Sequence, residues 1–206
     1  MQKENILKAL AELRKNKRRK FSQTVDLIIN LRSFDIKKQN INLVVTLPHT
    51  VKEKKVCAFL TKKNELIDTI TKAEFGKYKG KELKKLVKKY DFFVAVASLM
   101  PAIATSFGRV LGPVGKMPSP QLGILPTEDD KAVKEILGKI NKVVKIKSKE
   151  PSLKIAIGKE DMKDEQIAEN ASAIYNSVFK ILPRQKENLK SVLIKFTMSK
   201  PVNLEY

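Results

Sequence analysis

The apolar residues of this chain follow two different patterns, and the change between them divides the chain. Residues 24–31 and 41–47 alternate apolar and polar side chains, as strands with one buried face do. Residues 56–60 and 92–97 are continuous apolar runs, which are typical of strands covered on both faces. Alternation returns in residues 190–198. We therefore expect one domain built from both chain ends and interrupted by a second domain of another kind.

Helical spacing of apolar residues accompanies these strands in both parts of the chain. Residues 81–89 and 129–140 each carry one apolar stripe beside the continuous runs, which predicts a small parallel sheet with helices. Residues 4–15 and 164–182 are also amphipathic and would cover one face of the sheet made by the alternating strands. The fold class is thus α/β and α+β. The predicted domains are residues 1–53 plus 151–206, a discontinuous α+β sandwich, and residues 54–150, an inserted α/β domain with a small parallel sheet.

The net charge limits the kinds of partner that this chain is expected to bind. The chain has 42 Lys and Arg against 22 Asp and Glu, a formal net charge of +20, and such an excess attracts polyanions. The basic residues are spread over both predicted domains rather than concentrated on one amphipathic helix, which favours an extended nucleic-acid surface over a membrane surface. No apolar run approaches the roughly 20 residues of a membrane span, so we expect no membrane partner. A solvated basic coat without a specific ligand stays open as an alternative.

Residues 107–120, Phe-Gly-Arg-Val-Leu-Gly-Pro-Val-Gly-Lys-Met-Pro-Ser-Pro, combine three glycines with three prolines. This density predicts a presented loop and argues against a long helix. A phosphate-binding loop would need Gly at the position of Val110 and a hydroxyl residue at the position of Met117, so that motif is absent. No Gly-x-Gly-x-x-Gly follows a buried strand either.

The remaining reactive residues do not indicate a catalytic or metal-binding site. His49 is the only histidine and follows a strand, with no partner indicated by the local sequence. Cys57 lies in a buried run and is most simply a core residue, and one histidine with one cysteine makes a weak metal site. Asp129 and Asp130 suit the positive end of a helix dipole. We expect no catalytic residue, no metal and no cofactor.

Polar, cationic and aromatic residues gather at the ends of the first and last alternating strands. If these strands share a sheet, their ends form one surface with lysines for phosphates and hydroxyls for ribose 2′-OH groups. Phe21 or Met198 would pack on a sugar or base; alternatively, both are core residues at strand ends. The candidate RNA-binding residues are Lys20, Phe21, Thr24 and Asp26 at the first strand and Thr197, Met198, Ser199 and Lys200 at the last.

Residues 107–120 resemble the signature of the family of the universal large-subunit ribosomal protein one ("L-one"), the protein of the ribosome's mobile side stalk. Residues 20–31 resemble the family's RNA-binding strand, and the resemblance spans nearly the whole chain. Two positions depart from the family pattern: Ser199 stands where Gly is usual, and Val114 where Arg is common. Further motifs in the family's order and spacing are residues 43–49, 157–159, 168–170 and 197–200.

The resemblance implies a non-enzymatic constituent of the large ribosomal subunit in the cytoplasm, monomeric within the ribosome. The outer domain would bind the rRNA stalk through the eight candidate residues, and the inserted domain would be mobile and meet deacylated tRNA leaving the exit site. The alternative is a translational repressor that acts mainly by binding its own mRNA. The signature residues are Gly108, Arg109, Gly112, Pro113, Gly115, Lys116, Met117 and Pro118.

Overall fold

The chain forms two compact units, seen in a computed structural model that describes residues 3–15, 19–34, 41–64, 66–78, 80–120, 122–125, 128–147 and 150–205. The outer unit comprises Met1–Lys52 and Lys142–Tyr206, and the inserted unit comprises Glu53–Asn141. The run of cations at residues 15–20 lies partly outside the described residues. In chain order the elements are α1 (Lys3–Arg14), β1 (Thr24–Leu31), β2 (Asn42–Thr46), β3 (Val56–Phe59), β4 (Asp68–Ile70), α2 (Lys81–Lys89), β5 (Phe92–Val96), α3 (Met100–Val114), β6 (Ile124–Leu125), α4 (Asp130–Lys142), β7 (Val143–Lys147), β8 (Ser152–Lys159), α5 (Asp164–Ile181), β9 (Leu189–Phe196) and β10 (Val202–Leu204).

The outer unit contains an antiparallel sheet in the order β10-β9-β1-β8. Strand β1 comes from the first part of the chain, and both of its neighbours come from the last part. The inward residues of β1, such as Leu27 and Ile29, share one apolar core with Leu10 of α1 and Ile174 of α5. The prediction that the two chain ends complete one sheet under a layer of helices is confirmed.

A second antiparallel pair, β2 with β7, also belongs to the outer unit. Its register runs from Asn42 opposite Lys147 to Thr46 opposite Val143, and Val45 and Ile146 enter the outer core. The second crossing between the units therefore falls after Asn141, not at the predicted residues 150–151. Pro151 suggested a break in the chain, but β7 turns back to β2 before that proline because its apolar residues are buried there.

The inserted unit is built on a parallel sheet in the order β4-β3-β5-β6. One face carries an aromatic core in which the Phe59 ring lies 5.7 Å from Phe93 and 5.2 Å from Phe107. Ala58 and Val94 lie in a second core with residues of α4. Because both faces are covered, β3 and β5 appear in the sequence as continuous apolar runs, as predicted.

Helix α3 contradicts the predicted loop over residues 107–120. The helix runs from Met100 through Pro113 to Val114 and ends at Gly115, whose φ of 73° and ψ of 20° are left-handed. Its residues Ile103, Phe107 and Leu111 recur at intervals of four and are fully buried. Burial of this stripe outweighs the cost of about 1 kcal/mol for each helical glycine. Among the described residues, no helix combines the length and apolar character needed to cross a bilayer.

Candidate nucleic-acid interface

The eight candidate RNA-binding residues lie at one end of the outer sheet, because antiparallel pairing brings the start of β1 beside the end of β9. The Thr197 N–H donates to the Thr24 carbonyl at 3.0 Å. The Thr24 N–H in turn donates to Thr197 Oγ1 at 3.2 Å. We call these eight residues the strand-end surface: Lys20, Phe21, Thr24, Asp26, Thr197, Met198, Ser199 and Lys200.

Two large apolar side chains of the strand-end surface face solvent. Phe21 is 54% exposed and Met198 is 61% exposed, so neither is the core residue that the sequence left possible. Lys20 and Lys200 beside them are exposed as well. Exposed apolar groups flanked by cations suit an unpaired nucleotide, because its base can pack on the apolar groups and its phosphate can be neutralised by the cations.

A buried polar pair holds the turn after β9 in place, and the sequence did not single it out. The Met198 N–H donates to Gln23 Oε1 at 3.2 Å, and Gln23 Nε2 donates to Glu160 Oε2 at 3.3 Å. Only 5% of Gln23 and 8% of Glu160 are exposed. The strand alternation could have revealed this pair. Gln23 lies two residues before the buried Val25 and so occupies an inward position, where a polar side chain needs a buried partner.

Ser199 fits its turn without backbone strain, although the family usually has glycine there. The described non-glycine residues with positive φ are Ser33 and Gln185, so the turn does not require glycine at Ser199. The Ser199 hydroxyl accepts the Phe196 N–H at 2.9 Å and lies 3.1 Å from the Lys200 carbonyl, to which it donates. The serine thus replaces backbone freedom with hydrogen bonds inside the turn.

The open face of the sheet continues the strand-end surface along β1. Asp26 lies opposite Lys195 of β9 and is partly buried. Burial raises the pKa of the Asp26 carboxyl, and the facing Lys195 opposes that rise. Further along the same face of β1, Asn30 Nδ2 donates to Ser191 Oγ at 2.9 Å. The face therefore presents paired polar groups rather than a bare apolar layer.

Part of the signature segment holds elements of the inserted unit together. Lys116 Nζ donates to the carbonyls of Val87 and Tyr90, each at 2.7 Å, and so caps the end of α2. A Cβ at Gly123 would lie 2.9 Å from the Pro118 backbone, so the chain that follows the segment packs closely against it. Its residues fall into two groups: Gly108, Arg109, Gly112 and Pro113 lie on α3, and Gly115, Lys116, Met117 and Pro118 form the turn that follows.

The side chains of that segment differ in access to solvent. Arg109 is exposed on α3, and Val114 is 53% exposed at the position where the family commonly has Arg. Pro118 is buried. Of the two cations in the segment, Arg109 is available to a partner, because Lys116 is bound to backbone carbonyls.

Three other family-like motifs meet at Asn170, which is fully buried in α5. Its Nδ2 donates to the carbonyls of Ile157 at 2.9 Å and His49 at 3.1 Å, and its Oδ1 accepts the His49 N–H at 3.0 Å. His49 also has a partner across the fold, because its Nε2 lies 2.8 Å from Glu169 Oε2. This bond and a 3.1 Å contact with Lys3 lower the pKa of Glu169. These motifs thus hold the outer unit together.

The described residues contain no cluster of three or more His, Cys, Asp or Glu side chains arranged to hold a metal ion. Cys57 is buried, and burial together with the nearby Asp68 carboxylate raises the pKa of its thiol to about 12. The reactive thiolate form is therefore disfavoured.

A known protein family matches most of the chain. The pattern of the Ribosomal protein L1p/L10e family matches residues 13–200. The chain therefore belongs to the ribosomal protein L1p/L10e family. Membership in this family makes it a ribosomal protein rather than an enzyme.

Individual relatives match over nearly their whole lengths, and each is a large ribosomal subunit protein uL1. The protein of Pyrobaculum calidifontis is 36% identical over 218 residues, covering 100% of this chain and 95% of the relative. That of Thermococcus kodakarensis is 37% identical, with 98% of both chains covered. That of Methanothermococcus thermolithotrophicus is 35% identical, with 100% of both chains covered. The predicted family resemblance is confirmed.

Proposed function

We propose that the chain is a constituent of the large ribosomal subunit and binds the stalk region of large-subunit rRNA through the strand-end surface. The observation that carries the proposal is the pairing of β1 with β9, which joins candidate residues from the two chain ends at one edge. The relatives, each a large ribosomal subunit protein, support the place of the chain in that subunit.

The side chains of the strand-end surface contact different parts of the RNA. Lys20 and Lys200 neutralise phosphates, and the exposed faces of Phe21 and Met198 pack on sugars or bases. The Asp26 carboxylate can accept a ribose 2′-OH, the group that distinguishes RNA from DNA. The Thr197 hydroxyl contributes through Thr24, since it is already bonded to the backbone of that residue.

We further propose that the inserted unit contacts deacylated tRNA as it leaves the exit site. Helix α2 supports this proposal with an outward face of exposed lysines opposite its buried Leu83, Leu86 and Val87. Such a cationic face attracts a phosphate backbone without reading its sequence. The exposed lysines are Lys81, Lys84, Lys85, Lys88 and Lys89.

RNA footprinting of the whole chain on complete large-subunit rRNA tests the rRNA proposal. We expect protection of one structured junction in the stalk region, and protection scattered along the RNA would instead support a nonspecific basic coat. Sedimentation addresses the alternative of a repressor that acts mainly on its own mRNA. A resident ribosomal protein stays with large subunits through washing at moderate salt, whereas such a repressor is released.

A further inference from the structure

A cleft opens in the outer unit beside the strand-end surface, between the end of α1 and the turn after β9. Its volume of about 390 Å³ falls within the range of roughly 300–1,000 Å³ typical of small-ligand sites. The lining residues of interest are Leu13, Arg19, Glu160, Phe196, Met198 and Lys200.

The cleft contains a buried carboxylate with spare acceptor capacity. Glu160 Oε2 accepts the Gln23 backbone N–H and Gln23 Nε2, both at 3.3 Å. Within the described part of the chain, no cation lies within 4.0 Å of the Glu160 carboxylate and Oε1 has no hydrogen-bond donor. Because a carboxylate offers about four lone-pair sites, Glu160 can still accept a donor from a ligand in the cleft.

The walls and rim suit a flat, partly apolar ligand attached to phosphate. Leu13 and Phe196 lie at the floor of the cleft and are almost fully buried, whereas Met198 is exposed and is the apolar side chain that a ligand would cover. Arg19 and Lys200 stand at the rim with no carboxylate within ion-pair distance among the residues described. Arg14, by contrast, is held by Asp164 at 2.6 Å and belongs to the scaffold.

We propose that this cleft binds one unpaired nucleobase that carries an exocyclic amino group. The inference rests on the proposed function, since the base would belong to RNA held at the strand-end surface. The amino group donates to Glu160, the ring packs against Met198, and Arg19 and Lys200 contact the flanking phosphates. Uracil has no exocyclic amino group and fits the carboxylate poorly.

The RNA side of the test uses the wild-type chain and a stalk fragment of large-subunit rRNA. Each unpaired nucleotide of the fragment is replaced in turn by an abasic residue and by uridine. We expect one adenosine, cytidine or guanosine at which either replacement lowers affinity about tenfold. If no unpaired position costs more than about twofold, the proposal is overturned, because an occupied base pocket must be sensitive to removal of its base.

The protein side of the test uses Glu160→Gln. The Gln amide oxygen can still accept from Gln23, while its NH₂ group would replace the acceptor that faces the cleft. We therefore expect the preference at the sensitive position to move toward uridine, an outcome that loss of folding or loss of charge would not produce. The matched control Glu165→Gln removes the same charge from an exposed site on α5 and should leave that preference unchanged.

The outcomes separate the two proposals. Wild-type binding with equal base preference in the wild-type and Glu160→Gln chains overturns the pocket and leaves the rRNA proposal standing. Failure of the wild-type chain to bind the fragment overturns both.

Discussion

Phe21 is the residue whose exposure is hardest to explain without a partner. We expect Phe21→Ala to weaken binding to the stalk fragment by about tenfold or more, since base–aromatic stacking contributes about 1–3 kcal/mol. The melting temperature should stay unchanged because the ring is 54% exposed. Ile181→Ala is the control, as that side chain is 49% exposed at the end of α5. Equal binding by both variants would remove Phe21 from the interface.

Thr197 is expected to act through the fold as well as at the surface. Its Oγ1 accepts the Thr24 N–H at 3.2 Å and lies 3.3 Å from the Thr24 carbonyl. Thr197→Val keeps the side-chain shape but loses these bonds, so we expect a loss of about 1 kcal/mol in unfolding free energy together with weaker RNA binding. Thr197→Ser should restore both. Urea unfolding and fragment binding measured side by side check this, and a Val variant equal to wild type in both contradicts it.

At the scale of the element, Lys116 links the turn after α3 to the end of α2. We expect Lys116→Met to lower the unfolding free energy by about 1–3 kcal/mol, because two charge-assisted hydrogen bonds to carbonyls at the end of α2 are lost. Affinity of the outer unit for the stalk fragment should not change. Lys85→Met is the control: its pair with Glu82 at 3.0 Å is exposed and contributes little.

Asn170 likewise has a structural role, because it joins α5 to β8 and to the loop after β2. Asn170→Ala would leave the His49 N–H and the Ile157 carbonyl without their partner in a buried site. We expect a loss of about 2–6 kcal/mol in unfolding free energy, from two unsatisfied groups at about 1–3 kcal/mol each. Thermal unfolding measures the effect, and hydrogen exchange at His49 shows whether the contact was lost. A variant as stable as wild type would mean that water replaces the amide.

Elements with a strong apolar period were predictable from sequence, whereas those set by tertiary contacts were not. The alternation in β1 and β9 was sufficient to infer a shared sheet, and the continuous runs in β3 and β5 to infer a parallel one. Helix α3 was missed because local propensity counts the cost of Gly108 and Pro113 but not the burial of Phe107. Strands β4 and β6 have only three and two residues, too few to show a period.

The candidate site was likewise predictable only in part. Phe21 and Lys200 were found from the sequence because they flank the two alternating segments that form β1 and β9. Gln23 and Glu160 were missed since their pairing joins residues distant in the chain. The same holds for the partner of His49 on α5.

At the scale of the whole molecule, charge sets the strength of RNA binding. If about six phosphates are neutralised, the logarithm of the affinity should fall against the logarithm of salt concentration with a slope of about −5. Between 50 and 200 mM salt the affinity for the stalk fragment should then drop about 10³-fold. Titrations at several salt concentrations measure this slope. A flat response would show that the +20 charge is not used in binding.

The position of β1 in the sheet determines when the protein can function during its own synthesis. Leu27 pairs with Ile155 on one side and Ile194 on the other, so the sheet of the outer unit cannot close around β1 until Ile194 has been translated. The inserted unit needs only Glu53–Asn141 and is free to fold earlier, as contiguous domains do during translation. The strand-end surface is completed only when Thr197–Lys200 reach β1. Under the proposed function, a product terminated before Thr197 would lack half of the strand-end surface and could not occupy the RNA site.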